Sequence, residues 1–283
     1  MIIDFHTHVF SPRIKKNRSQ YIDNDPCFAV LYSKKEAKLA TTEELIDSMD
    51  KAGIEISVIV NIGWMTHELC VETNDYILES IACYPQRLVG FCTVQPLSTG
   101  ATIAEIERCA KGGARGIGEM RPDMQLFDLR DEEIVSPFVE ALKKHQLILL
   151  THASEPVGHD YPGKGIITPD MLYPFITRYP DLTIICSHWG GGLPFYTLMP
   201  EVKQAIKNVY FDTAASPFLY SSQIYNQVSQ LVGADKILFG SDYPLLAQTR
   251  LLQEIGAADL PEEAKSLILS GNARKLLGIK DAT

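Results

Sequence analysis

Eight short apolar runs rich in β-branched residues recur along this 283-residue chain, with helix-like stretches between them. They fall at 2–7, 54–61, 88–94, 114–119, 147–152, 182–188, 209–213 and 236–242. Runs of this length and composition read as buried strands. The intervening stretches carry helix signals. Thr41-Thr42-Glu43-Glu44 is a capping-box start with Gly53 as its stop, Ser136-Pro137 and Thr168-Pro169-Asp170 open later helices, and Gly112-Gly113 ends another. Strands that alternate with helices form parallel sheets, because parallel neighbours need a crossover between them. Eight such units at roughly thirty-residue spacing suit a closed (β/α)8 TIM barrel better than an open doubly wound sheet. No run leads into a Gly-x-Gly-x-x-Gly helix start, so dinucleotide binding has no support.

Polar residues collect where these runs end. Asp4-Phe5-His6-Thr7-His8 closes the first. Strand alternation puts His6 and His8 on one face, about 7 Å apart, with Asp4 beside them. Two such imidazoles can chelate one divalent ion. Glu119, His152, His188 and Asp242 each stand at or just past the end of another run, the end where barrel enzymes keep their active sites. Singly, each has a plain structural reading. Asp242, ahead of Tyr243-Pro244, could be a turn or cap residue, and His152 and His188 could be structural histidines. Glu119 could pair with Arg115 or Arg121. Asp4 reads as an acceptor for an imidazole N–H rather than as a ligand. His67, His145 and His159 have no partners at ligand spacing and read as surface or cap residues.

The stretch from 10 to 40 is rich in Lys, Arg, Asn and Asp and reads as an irregular insertion, a cap over the mouth. No linker-like segment divides residues 1–283, so one barrel is expected. Strand four is glycine-rich, which predicts close approach by another backbone or a ligand. A net charge of −9 with no basic block makes nucleic acid and anionic membrane poor partners. No apolar stretch approaches the ~20 residues that span a bilayer. The six cysteines form no disulfide-like framework, and no basic leader precedes the first strand; both fit a cytoplasmic protein. Apolar residues in the cap are consistent with a homodimer.

Taken in order, these motifs resemble the amidohydrolase superfamily, in particular its amidohydrolase 2 branch. The resemblance rests on Asp4-Phe5-His6-Thr7-His8, His152, Ser187-His188-Trp189-Gly190-Gly191-Gly192, Phe239-Gly240-Ser241-Asp242-Tyr243-Pro244 and Gly271-Asn272-Ala273-Arg274-Lys275-Leu276-Leu277. It implies that His6, His8, His152 and Asp242 hold a divalent metal, most often zinc. His188 would ligate a second ion or act as an acid/base group beside the first. Glu119 stands where binuclear relatives place a bridging carboxylate, which leaves the count at one or two ions. Bound metal brings the pKa of water toward ~7, and Asp242 could take and return its proton as the catalytic base. Arg121 and Trp189 are the candidate substrate contacts, a carboxylate clamp and a flat wall, with Trp64, Tyr161 and Tyr243 in neighbouring loops. The leading expectation is a hydrolase of a small carboxylated amide, ester or lactone. The alternative within the same branch is a non-oxidative decarboxylase of an aromatic or enoic acid.

Overall fold

The computed structural model describes residues 1–280. Its eight strands are Ile3–Thr7 (β1), Ile56–Val60 (β2), Leu88–Cys92 (β3), Gly116–Met120 (β4), Ile148–Thr151 (β5), Ile184–Cys186 (β6), Val209–Asp212 (β7) and Ile237–Leu238 (β8). They pair in sequence order, every pair parallel. Backbone bonds join the last strand's extension to the first. Phe5 N donates to Phe239 O at 2.7 Å, Asp242 N to His6 O at 2.9 Å, and His8 N to Tyr243 O at 2.7 Å. The sheet thus closes into the expected (β/α)8 barrel.

Strand alternation splits the apolar residues into two layers. Ile3, Phe5, Val58, Val60, Phe91, Ile148, Leu150, Ile185 and Leu238 fill the barrel interior, plugged by Ala273 and Leu277 of the C-terminal helix. The opposite faces pack under the surrounding helices. Helix Thr42–Ala52 carries the full capping box and ends at Gly53 in the left-handed region, as its sequence predicts. The Ser136-Pro137 start is displaced. That helix runs Glu132–Lys144 from an Asp131 cap, with Pro137 inside it, because Val135, Phe138, Val139 and Leu142 extend its buried face across the proline.

The 10–40 insertion does cover the mouth, but it is not irregular. It holds three short helices, Pro12–Lys16, Arg18–Asn24 and Pro26–Tyr32. They enclose a core of their own, with Phe28 stacked on Trp64 at 5.3 Å. Trp64 is therefore a packing residue.

Two interruptions of register matter most for function. Between Asp4 and Thr7 in β1, and between Ile117 and Met120 in β4, the strand advances three residues while its neighbour advances two. Such bulges re-aim side chains, and they occur beside active sites. Here they turn His6 and Glu119 into the mouth. Close approach at β4 is also as expected: a Cβ on Gly118 would lie 2.3 Å from the Leu150 carbonyl oxygen.

Candidate metal centre

Five strand ends deliver six side chains to one point. His6 comes from β1 and His8 from just past it, Glu119 from β4, His152 from just past β5, His188 from just past β6 and Asp242 from just past β8. The residues that follow β6 and β8 reach the centre through unusual backbone: His188 (φ 55°) and Asp242 (φ 64°) are both left-handed. A non-glycine residue in that region is held there by its surroundings, and such positions cluster at functional sites. The glycine turn after β6 is packed tightly, since a Cβ on Gly191 (φ +58°) would lie 2.2 Å from the Ser154 carbonyl oxygen.

Glu119 is the centre of the cluster. Its Oε2 lies 3.6 Å from His6 Nε2 and 3.8 Å from His8 Nε2. Its Oε1 lies 2.8 Å from His152 Nδ1 and 3.2 Å from His188 Nε2. Two groups suited to a metal ion share this one carboxylate: His6, His8 and Glu119, and Glu119, His152 and His188. Asp242 Oδ1 sits 3.4 Å from His8 Nε2. Neither arginine partner considered for Glu119 is used. Arg121 bonds Asp123, and Arg115 bonds the Leu277 carbonyl.

The outer ring nitrogens fix the tautomers. His8 Nδ1 meets the Val60 carbonyl at 3.0 Å and His188 Nδ1 meets the Ala214 carbonyl at 3.2 Å. A carbonyl only accepts, so in both rings Nδ1 carries the proton and the neutral ring's Nε2 lone pair faces inward. His6 Nδ1 donates to Asp212 Oδ2 at 2.9 Å, and its Nε2 stands 3.1 Å from that of His8. Imidazoles oriented from behind, with lone pairs converging beside carboxylates, suit a divalent cation.

Electrostatics agree with that fit. Burial would raise the Glu119 carboxyl, but bonds from His152, His188 and His6 outweigh it and hold it well below the usual range. Asp242 behaves alike: burial opposes ionisation, and the His8 bond with the charges of His6 and His188 prevails. Burial would lower His6, yet the Asp212 charge and hydrogen bond drive it well above an ordinary imidazole. His188 is raised to about 9, the Glu119 bond overcoming burial. His152 is lowered to about 4 by burial and by the Arg121 charge, so it is neutral. Protons on His6 and His188 balance the carboxylates, the same service a bound cation performs.

Asp4 is not the carboxylate behind the imidazoles. The β1 bulge breaks the alternation that would have aligned it with His6. Asp4 instead accepts from Ser241 N, Ser241 Oγ and Gln248 Nε2, and burial raises its carboxyl to about 6. Asp212, at the end of β7, fills that place, and its Oδ1 also accepts from the backbone N–H of His188 (2.9 Å) and Ala214 (3.1 Å). One side chain thus pins residues of both groups. The sequence carries its signal, a carboxylate ending an apolar strand as the candidate ligands do.

A cavity of about 450 Å³ opens over the centre, reached by His8, Glu119, His152, His188 and Asp242. Leu31, Tyr32 and Ala37 of the cap and Phe218, Leu219 and Leu245 of later loops give it apolar walls. Arg121 lines it while 2% exposed, its Nε and Nη2 held by Asp123 at 3.2 and 3.0 Å. Trp189, expected as a wall, is fully buried away from the cavity. It donates to Ser216 Oγ at 2.7 Å and packs edge-on to Tyr225, because its own left-handed backbone (φ 58°) swings the indole outward into the helix layer. Tyr161 does line the cavity, whereas Tyr243 bonds the Glu44 carbonyl outside it. His159, read as a surface residue, joins the lining beside Tyr161.

The chain belongs to the amidohydrolase family, whose pattern it matches over residues 3–279. It is similar to 6-methylsalicylic acid decarboxylase of Penicillium expansum, 27% identical over 227 residues that cover 68% of this chain and 69% of that protein. It is also similar to L-fucono-1,5-lactonase of Burkholderia ambifaria, 22% identical and covering 82% of each chain. Among solved structures it resembles 5-carboxyvanillate decarboxylase from Novosphingobium aromaticivorans, complexed with manganese and 4-hydroxy-3-methoxy-5-nitrobenzoic acid. That likeness has a TM-score of 0.81 at 20% identity, over 99% of this chain and 96% of the other. Among the described residues no helix is long and apolar enough to cross a membrane.

Proposed function

We propose that this protein is a metal-dependent, non-oxidative decarboxylase of an aromatic acid. The similarity to 6-methylsalicylic acid decarboxylase across two thirds of both chains carries the proposal. The cavity above the candidate ligands supports it, because its apolar walls, with Leu31, Ala37, Phe218 and Leu245 among them, suit an aromatic ring. Hydrolysis, the leading expectation from sequence, becomes the second reading, kept by the similarity to L-fucono-1,5-lactonase.

His6, His8, Glu119, His152, His188 and Asp242 would hold the metal. Imidazole and carboxylate donors suit zinc, and manganese accompanies the similar solved structure. When bound, the ion supplies a fixed positive charge that polarises a substrate oxygen. The protein's own groups do the rest. Arg121 offers Nη1 to a substrate oxygen, Asp123 occupying its other edge. Asp242, at the cavity floor, holds the proton that the ring carbon must receive. As the carbon–carboxylate bond breaks, its electron pair stays with the ring, a C–H bond forms there and carbon dioxide leaves. The proton donor is then restored from solvent. Glu119 and Trp189 fall outside these steps, the first as a ligand and the second as a packing residue.

The test is a product assay on protein loaded with manganese or zinc. Offered 6-methylsalicylate, 2,6-dihydroxybenzoate and L-fucono-1,5-lactone, it is expected to release carbon dioxide from an aromatic acid. Lactone opening with no carbon dioxide from either acid would overturn the proposal in favour of hydrolysis.

A further inference from the structure

We propose that Tyr32, in the cap, is a specificity-determining residue that donates a hydrogen bond to the substrate oxygen presented to the metal centre. The inference rests on the proposed decarboxylase function for its choice of probe. Tyr32 is the last residue of helix Pro26–Tyr32, 9% exposed, and it lines the cavity. Its ring is fixed by Phe28 at 4.9 Å and Phe10 at 5.0 Å, and its carbonyl accepts from Arg18 Nε at 2.7 Å. Its hydroxyl, however, meets no hydrogen-bond partner among the described residues, although it is not sealed in the core.

Several other phenols are satisfied, Tyr21 by Glu72, Tyr161 by Glu155, Tyr179 by Ser136 and Tyr243 by the Glu44 carbonyl, while the Tyr220 hydroxyl is also unpaired. Buried hydroxyls are ordinarily paired, and one left unpaired beside a cavity points to a ligand that completes it. Burial, joined by the negative charges of Asp242 and Glu119, keeps the phenol well above its ordinary pKa. It is therefore neutral and able to donate into the cavity that it lines together with Glu119 and Asp242. A site that hydrogen-bonds a substrate oxygen discriminates strongly against analogues that lack it. The cap would thus contribute chemistry as well as cover.

Tyr32→Phe tests this, because it keeps the ring against Phe10 and Phe28 and removes only the hydroxyl. Metal content and melting temperature are expected to match wild type. The Kd of the manganese-loaded protein for 4-hydroxy-3-methoxy-5-nitrobenzoic acid, by calorimetry, is expected to rise about 10- to 100-fold. KM for 2,6-dihydroxybenzoate is expected to rise alike, with kcat changed less. If wild type binds these acids and Tyr32→Phe binds them equally, the Tyr32 role falls and the decarboxylase proposal stands. If wild type instead opens only L-fucono-1,5-lactone, the decarboxylase proposal falls. Tyr32 is then judged by the lactone's KM, where a rise supports its role and an unchanged value overturns it.

Discussion

The two ends of the barrel are made by the same strands and obey opposite rules. In the lower interior, Phe5, Phe91, Leu150 and Leu238 stack into an apolar plug. One residue further along β1, and just past the ends of β5 and β8, stand His6, His152 and Asp242, all buried and all polar. The lower end lowers the free energy of the fold through burial. The upper end costs folding free energy by crowding carboxylates and imidazoles out of water, and a cation repays that cost. Regular strands suffice for the plug, whereas the mouth needs two bulges and left-handed residues to bring its imidazoles and carboxylates together. Stability and function are therefore separable in this molecule, and the separation can be attacked from either side.

The largest expected effect is at the lower end. Phe91 is fully buried and edge-on to Phe5 at 5.7 Å. Phe91→Ala should cost about 3–5 kcal/mol of stability in denaturant titration. The affinity of the folded protein for manganese should stay within about threefold of wild type, since none of the candidate ligands belongs to this layer. A large loss of metal affinity would show that the two ends are coupled.

At the mouth, Asp212→Asn should do the reverse. The asparagine oxygen is claimed by the His188 and Ala214 N–H groups, which turns its NH2 toward His6 Nδ1. His6 must then move its proton to Nε2, where the ligand lone pair is needed. Metal affinity should fall about 10- to 100-fold, measured by competition with a chelator, a loss that Phe91→Ala does not produce. Equal affinity would remove Asp212 from the site.

A smaller effect concerns pH. His188, raised to about 9, and His6, raised well above its ordinary value, both carry protons at neutral pH in metal-free protein. Ligation needs them neutral, so affinity should climb with pH up to about 9 rather than levelling near the ~6.5 of an ordinary imidazole. Calorimetry at pH 7.5 in buffers of different ionisation heat should report roughly one to two protons released per binding event. Binding without proton release would contradict the raised values. Smallest of all is Trp189→Phe, which should lower stability modestly and leave KM for an aromatic acid unchanged. A raised KM would return Trp189 to the cavity wall.

Much of this was legible in the sequence, for identifiable reasons. The strands declared themselves as apolar runs, and His8, His152, His188 and Asp242 stood out because each is polar where such a run ends. The cap helices escaped because five to seven residues are too few for a helical period. Their local signal was present: Ser11 before Pro12 and Asp25 before Pro26 cap their helices through Ile14 N and Phe28 N. Asp4 was misread because strict alternation cannot foresee a bulge, which depends on the neighbouring strand. Trp189 was misread because a left-handed residue reverses the direction its position would suggest. Asp212 had the same strand-end signature as the ligands, and Tyr32 had none, since its role depends on the fold of the cap over the mouth.

The central claim is that Glu119 organises the mouth as a metal ligand touching both histidine pairs. Its direct test is titration of manganese and zinc into chelator-stripped wild type and Glu119→Gln. The substitution keeps the size of the side chain and removes the charge between His6, His8, His152 and His188. Wild type should bind one or two ions per chain, and Glu119→Gln should lose an ion or weaken at least tenfold, about 1.4 kcal/mol. A Glu119→Gln protein with wild-type stoichiometry and affinity would contradict the account.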